Sequence, residues 1–124
     1  MGQLLGNKNA YFEIISDSSH KFLVSVNFIG SALIWEYNSE NDKFTLRESF
    51  TGHGNQVKSI DWNHTFSYLA SVSKDQTTRV LAKNEDSKKY AEISRAQIHG
   101  YDIHACSVIK VKDNTVDVIA CGAD

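Results

Sequence analysis

The chain has 124 residues, 41% of them hydrophobic, and its 13 basic and 15 acidic side chains leave a net charge of −2. That length is enough for one packed core, and the balanced charge gives no global field to draw nucleic acid or an anionic membrane. Apolar runs such as Ala10 to Ile15 and Phe22 to Val26 are five or six residues long, far short of the ~20 needed for a spanning helix, so a soluble chain with no membrane partner is expected.

Residues 1–9 are polar and form an N-terminal segment. From Ala10 onward, short apolar bursts alternate with polar punctuation: Ala10 to Ile15, Lys21 to Phe28, Ala32 to Tyr37 and Phe44 to Ser49. Their Val, Ile, Phe, Tyr and Trp content and their length predict strands. The fourth is an outer, partly exposed strand, entered through the polar loop Asn38 to Lys43. A second set follows: Val57 to Trp62, Tyr68 to Ser73, Thr77 to Ala82 and a fourth strand near Tyr90 to Ser94, with the charged loop Lys83 to Lys89 exposed. A third set has two strands, Ala105 to Val111 and Val116 to Gly122, around a turn at Lys112 to Thr115. The chain contains no proline, so Gly, Asn, Asp and Ser supply the turns. No helix-period stripe competes, and almost no helix is expected.

The sets repeat. His53 and His99 are 46 residues apart, as are Trp35 and Leu81, while Asp75 and Asp124 are 49 apart. Gly52-His53 before one strand, Lys74-Asp75 in a turn and Trp35-Glu36 at the end of another resemble a WD repeat, whose blades carry Gly-His near one end and Trp-Asp near the other; the spacing is slightly above its ~40 to 45 residues. The expected fold is all-β: a WD-repeat β-propeller fragment of about two and a half four-stranded antiparallel blades. The expected divisions are 10–51, 52–97 and an incomplete third blade at 98–124.

His53, Ser71 and Asp75 have the residue types of a hydrolytic triad. No Gly-x-Ser-x-Gly elbow lifts a serine out of its strand, so a small serine hydrolase is the weaker alternative and no catalytic residue is assigned. In a WD blade, such residues hydrogen-bond one another and tie strands together. The expected structural network comprises His53, Ser71 and Asp75 with Trp35, His99 and Asp124. It is incomplete in both blades: Leu81 stands at the second blade's tryptophan place, and Ile29-Gly30 stands where the first blade's turn aspartate belongs. Each blade is therefore expected to be softer than an ideal repeat. His99, His104, Cys106, Cys121 and Asp124 lack metal-ligand spacing, and no cofactor or metal is assigned. Cys106 and Cys121 match no redox motif; the expected reducing compartment disfavours a structural disulfide, and Cys121 reads as a small buried hydrophobe. Asn63-His64-Thr65 fits a glycosylation triplet that a cytosolic protein would not use. Trp62, Phe66 and Tyr68 are expected in packing, not in base stacking.

Ser73 to Ala82 (SKDQTTRVLA), Glu92 to Asp102 (EISRAQIHGYD) and Ala120 to Asp124 (ACGAD) are similar to the WD-repeat second subunit of the Elongator complex, with Gln97 to Asp102 the most specific run and Ala96 a departure from the family's proline. The resemblance implies a non-catalytic scaffold in an assembly that modifies wobble uridines of transfer RNA. It also implies partners among that assembly's large scaffold subunit and catalytic subunit, and a cytoplasmic location with the nucleus as a second one. The matched region would lie towards the end of the first of two seven-bladed propellers. A WD-repeat module of another intracellular assembly is the alternative, and the charge balance argues against direct transfer RNA contact. Propellers bind through loops at blade ends, which here points to Asn55, Lys74, Gln76, Tyr101 and Asp102. Two and a half blades cannot close a ring, so the chain reads as a fragment whose open faces and edges are expected to drive self-association.

Overall fold

Short β-branched and aromatic runs separated by Asn, Asp, Ser and Gly turns give ten strands and, among the described residues, no helix. The computed structural model describes residues 11–17, 19–87, 89–111 and 116–124, so the expected N-terminal segment and the turn at 112–115 lie outside it. The strands are β1 (Tyr11–Ser16), β2 (Phe22–Asn27), β3 (Ser31–Asn38), β4 (Lys43–Thr51), β5 (Val57–Trp62), β6 (Tyr68–Ser73), β7 (Thr77–Lys83), β8 (Tyr90–Ile98), β9 (Ile103–Val111) and β10 (Val116–Ala123). They form two four-stranded antiparallel meanders, β1-β2-β3-β4 and β5-β6-β7-β8, and one hairpin, β9-β10. This is the propeller-fragment architecture expected from the sequence. Strand β8 runs four residues past Ser94 because β7 continues to pair with it, Thr78 opposite Gln97 and Thr77 opposite Ile98.

The 46-residue period is carried by the backbone as well. Left-handed turn residues recur at that spacing: His20 (φ 55°) with Phe66 (φ 58°), and Gly30 (φ 87°) with Gln76 (φ 67°). Register shifts recur too, between Tyr11 and Glu13 in β1 and between Val57 and Ser59 in β5. Another pair falls between Ile34 and Trp35 and between Val80 and Leu81. In the β1–β2 turn the Asp17 carboxylate accepts the Phe22 N–H at 3.0 Å. In the β5–β6 turn the Asn63 side chain accepts the Tyr68 N–H at 3.1 Å. Two dissimilar turn sequences thus satisfy the same donor with the same geometry.

Strands β2 and β6 are the central, most buried strands, while β4 is mostly exposed. The core runs between the two meanders, from Val24, Val26, Ala32 and Ile34 to Val57, Ile60, Trp62, Leu69 and Leu81. Each fully buried Val, Ile or Leu in it contributes about 1.5–3 kcal/mol of transfer free energy. Strand β5 packs against β1 and β2, and β9 packs in the same way against β5 and β6.

Candidate functional site

The β6–β7 turn is built around Asp75. One carboxylate oxygen accepts from the Thr77 N–H (3.0 Å) and hydroxyl (2.6 Å), and the other accepts from the Gly54 N–H (2.8 Å). The His53 ring nitrogen Nδ1 lies 3.0 Å from Asp75 Oδ2, and Nε2 lies 2.9 Å from Ser71 Oγ. Burial pushes the His53 pKa down, more than the neighbouring Asp75 pushes it up. Burial also works to raise the Asp75 pKa, but the hydrogen bonds from Thr77 and Gly54, with His53 alongside, reverse this and hold it at about 2. An ionised Asp75 only accepts, so a neutral His53 donates from Nδ1 and takes the Ser71 O–H at Nε2. The three residues form one directed chain from strand to loop to turn.

Arg79, which the sequence did not single out, completes this centre. Its guanidinium is buried beside the chain, with Nη1 donating to Glu92 at 2.9 Å and Nη2 3.6 Å from Asp75. The available signal was an arginine in a strand otherwise rich in buried residues, Thr77 to Lys83, which calls for a carboxylate partner.

The first meander holds the complementary part of the network. Trp35 Nε1 donates to Ser25 Oγ at 2.9 Å, at the places corresponding to Leu81 and Ser71. The turn aspartate missing at Ile29 is replaced from two residues earlier: Asn27 Oδ1 accepts the Ile29 N–H (3.2 Å) and the Ser31 N–H (2.9 Å). In the second meander that work is divided between Ser73, which accepts the Asp75 N–H, and Asp75 itself, which accepts the Thr77 N–H. His99 and Asp124 are not joined as expected. His99 Nε2 is buried with no hydrogen-bond partner, and Asp124 instead pairs with His104 at 2.9 Å. A register shift falls between Gly122 and Ala123 at the end of β10, where Ala123 pairs with Ile103.

Where the second meander lacks a tryptophan, a cavity of about 100 Å³ remains, lined by Ala32, Phe50, His53, Ser71, Leu81 and Glu92 among others. It is far below the ~300 Å³ or more of small-molecule sites. Ser71 is only 2% exposed and lies within the regular strand β6. The arrangement links strand β6, the β4–β5 loop and the β6–β7 turn through hydrogen bonds. Among the described residues, no group of three or more His, Cys, Asp or Glu is placed to hold a metal.

The predicted loop residues gather at the end this network supports. Lys74 N–H donates to the Gln56 carbonyl at 3.0 Å, Ser73 Oγ to the Asn55 carbonyl at 3.1 Å, and His99 N–H to the Gln76 carbonyl at 2.8 Å. These bonds join the β4–β5 loop, the β6–β7 turn and the β8–β9 loop that carries Tyr101 and Asp102. The first meander's turn meets them at Gly30. A Cβ there would lie 2.3 Å from the His53 carbonyl oxygen, and the left-handed φ independently favours glycine. That turn presents Phe28 and Ile29, which are 53% and 55% exposed, and Tyr101 is 66% exposed. Phe28 and Ile29 were not singled out because a run ending Val26-Asn27-Phe28 reads as strand; the turn begins at Phe28 instead. Three exposed apolar side chains thus rise from loops that hydrogen bonds and close packing fix in place.

No protein-family model matches the chain. It is similar to Elongator complex protein 2 of Homo sapiens, 27% identical over 114 residues that cover 88% of this chain and 14% of the human protein. It is 33% identical to Elongator complex protein 2 of Arabidopsis thaliana over 84 residues, covering 62% of this chain and 10% of the plant protein. It is also 29% identical to Elongator complex protein 2 of Dictyostelium discoideum over 140 residues, covering 99% of this chain and 15% of that protein. The chain therefore spans about one seventh of the length of the human and Dictyostelium relatives.

Proposed function

We propose that this chain, similar to Elongator complex protein 2, is a scaffold segment which docks other Elongator subunits through the loop end carrying Phe28, Ile29 and Tyr101. The carrying observation is the pairing of exposed apolar side chains with rigid support beneath them. Aromatic and aliphatic anchors on preorganised loops bind at low ordering cost. Within that reading the assembly's work is modification of wobble uridines in transfer RNA, and this segment contributes binding without chemistry. The partners are the large scaffold subunit and the catalytic subunit, with Asn55, Lys74, Gln76 and Asp102 forming the polar rim around the apolar centre. The location is cytoplasmic, with the nucleus as a second site.

The test is co-purification of the tagged chain with the other Elongator subunits. The variant combining Phe28→Ser, Ile29→Ser and Tyr101→Ala should lose capture at least tenfold while keeping the thermal midpoint of the parent chain. Retained capture by a folded variant would refute the assignment of this surface.

A further inference from the structure

Cys106 and Cys121 are 15 positions apart in sequence, yet they are direct cross-strand partners in the β9–β10 hairpin. Directly opposed residues of an antiparallel pair have Cα atoms about 4.5 to 5.5 Å apart, within the roughly 4.4 to 6.8 Å a disulfide spans. Opposed side chains also project from the same face of a sheet. Both side chains are half-buried and in the thiol form. They lie on the hairpin face turned to the second meander, Cys121 Sγ 3.3 Å from Thr78 Oγ1 and Cys106 Sγ 3.8 Å from the Ala70 carbonyl.

We infer that Cys106 and Cys121 form a dithiol–disulfide couple, a cross-strand modification site that a small-molecule disulfide such as oxidised glutathione closes. The thiolate of one cysteine attacks the glutathione disulfide, forming a mixed disulfide and releasing one glutathione thiolate. The second cysteine thiolate then attacks the protein sulfur of that mixed disulfide, forms the Cys106–Cys121 bond and releases the second glutathione. Two electrons pass from the cysteine pair to the glutathione disulfide, and the two cysteine protons end on the two released thiols. Closure needs no strand to move out of register. It fixes the pairing of a hairpin that has one face exposed, with Ile109, Val111, Val116 and Val118 on it. A slip of one residue would exchange the two faces, and the cross-link forbids that slip.

The experiment equilibrates the full chain in graded mixtures of reduced and oxidised glutathione, traps free thiols by alkylation, and reads the products by mass spectrometry and peptide mapping. The expected product has lost two hydrogens, carries no glutathione, maps to a Cys106–Cys121 link, and forms in a yield independent of protein concentration. Its equilibrium constant in the folded chain should exceed that of the urea-unfolded chain at least tenfold. The oxidised chain should also show a raised thermal midpoint and slower amide exchange across Ile103–Val111 and Val116–Ala123. Cys106→Ser should stop at the mixed disulfide on Cys121. A folded parent chain that stops at a glutathione adduct, links only between molecules, stays reduced, or closes no better than the unfolded chain would overturn the inference.

Discussion

The missing tryptophan of the second meander can be restored. Leu81→Trp would place an indole diagonal to Ser71 as Trp35 is placed to Ser25, whose hydroxyl it reaches at 2.9 Å. Ser71 donates to His53 and keeps a lone pair free to accept the new N–H, so the chain of hydrogen bonds would lengthen without reversing any proton. Filling a cavity of about 100 Å³ contributes at most about 2.4 kcal/mol at ~24 cal/mol per Å³. The new bond adds ~1 kcal/mol, and repacking around a larger side chain takes back ~1–3 kcal/mol. The expected net gain is about 1 kcal/mol, a rise of roughly 4 °C in thermal midpoint for a chain of this size. Urea unfolding of Leu81→Trp, Ser71→Ala and the double variant measures the coupling, expected at about 1 kcal/mol. An unchanged or lowered stability, or a gain that survives intact without the Ser71 hydroxyl, would refute the idea that this cavity is a vacated hydrogen-bonding seat.

Acid should destabilise the fold in two stages. The folded pKa of His53 lies below its unfolded value, so its contribution is present above about pH 6.5 and is lost as pH falls below it. Asp75, 12% exposed and held at about 2, contributes stability above its unfolded pKa of 3.8 that is lost as pH falls towards 2, about 2 kcal/mol in all. Urea midpoints measured from pH 8 to pH 2.5 should show both stages, and His53→Gln should abolish the upper one. Gly30→Ala should cost about 2 kcal/mol or more by thermal unfolding, since left-handed strain and a backbone clash act together. At the other end, Tyr68 donates to Asp117 at 2.8 Å and ties β6 to the hairpin, so Tyr68→Phe should speed amide exchange in β9 and β10 more than in β2. The isolated chain should self-associate through Ile14, Phe44 and Leu46 on one side and the exposed β9–β10 face on the other. Light scattering that gives a monomer across a concentration series would refute that.

The strands of the second meander's inner half were legible. Val57–Trp62 and Tyr68–Ser73 begin and end where short runs rich in Val, Ile, Trp and Tyr place them. The His53, Ser71 and Asp75 cluster was legible too, because a turn aspartate and a histidine 22 residues earlier recur in one known blade pattern. Less legible were residues whose role depends on a partner in another strand. Arg79 looks like a solvated charge until Glu92 and Asp75 are placed around it. Cys106 and Cys121 look unrelated until β9 and β10 fold back on each other. The comparison of the two turns explains why the repeat looked weaker in letters than it is in space. Matching position by position, the first blade lacks an aspartate at Ile29 and should have a softer turn. In the structure Asn27 reaches both turn N–H groups by itself, so the defect is one of position and not of hydrogen bonding. The two blades keep complementary parts of one network, tryptophan to serine in the first and serine to histidine to aspartate in the second. Register shifts and left-handed turn residues at the shared 46-residue period persist under both. What the blades share is therefore a set of satisfied backbone donors, which different side chains can meet from different positions.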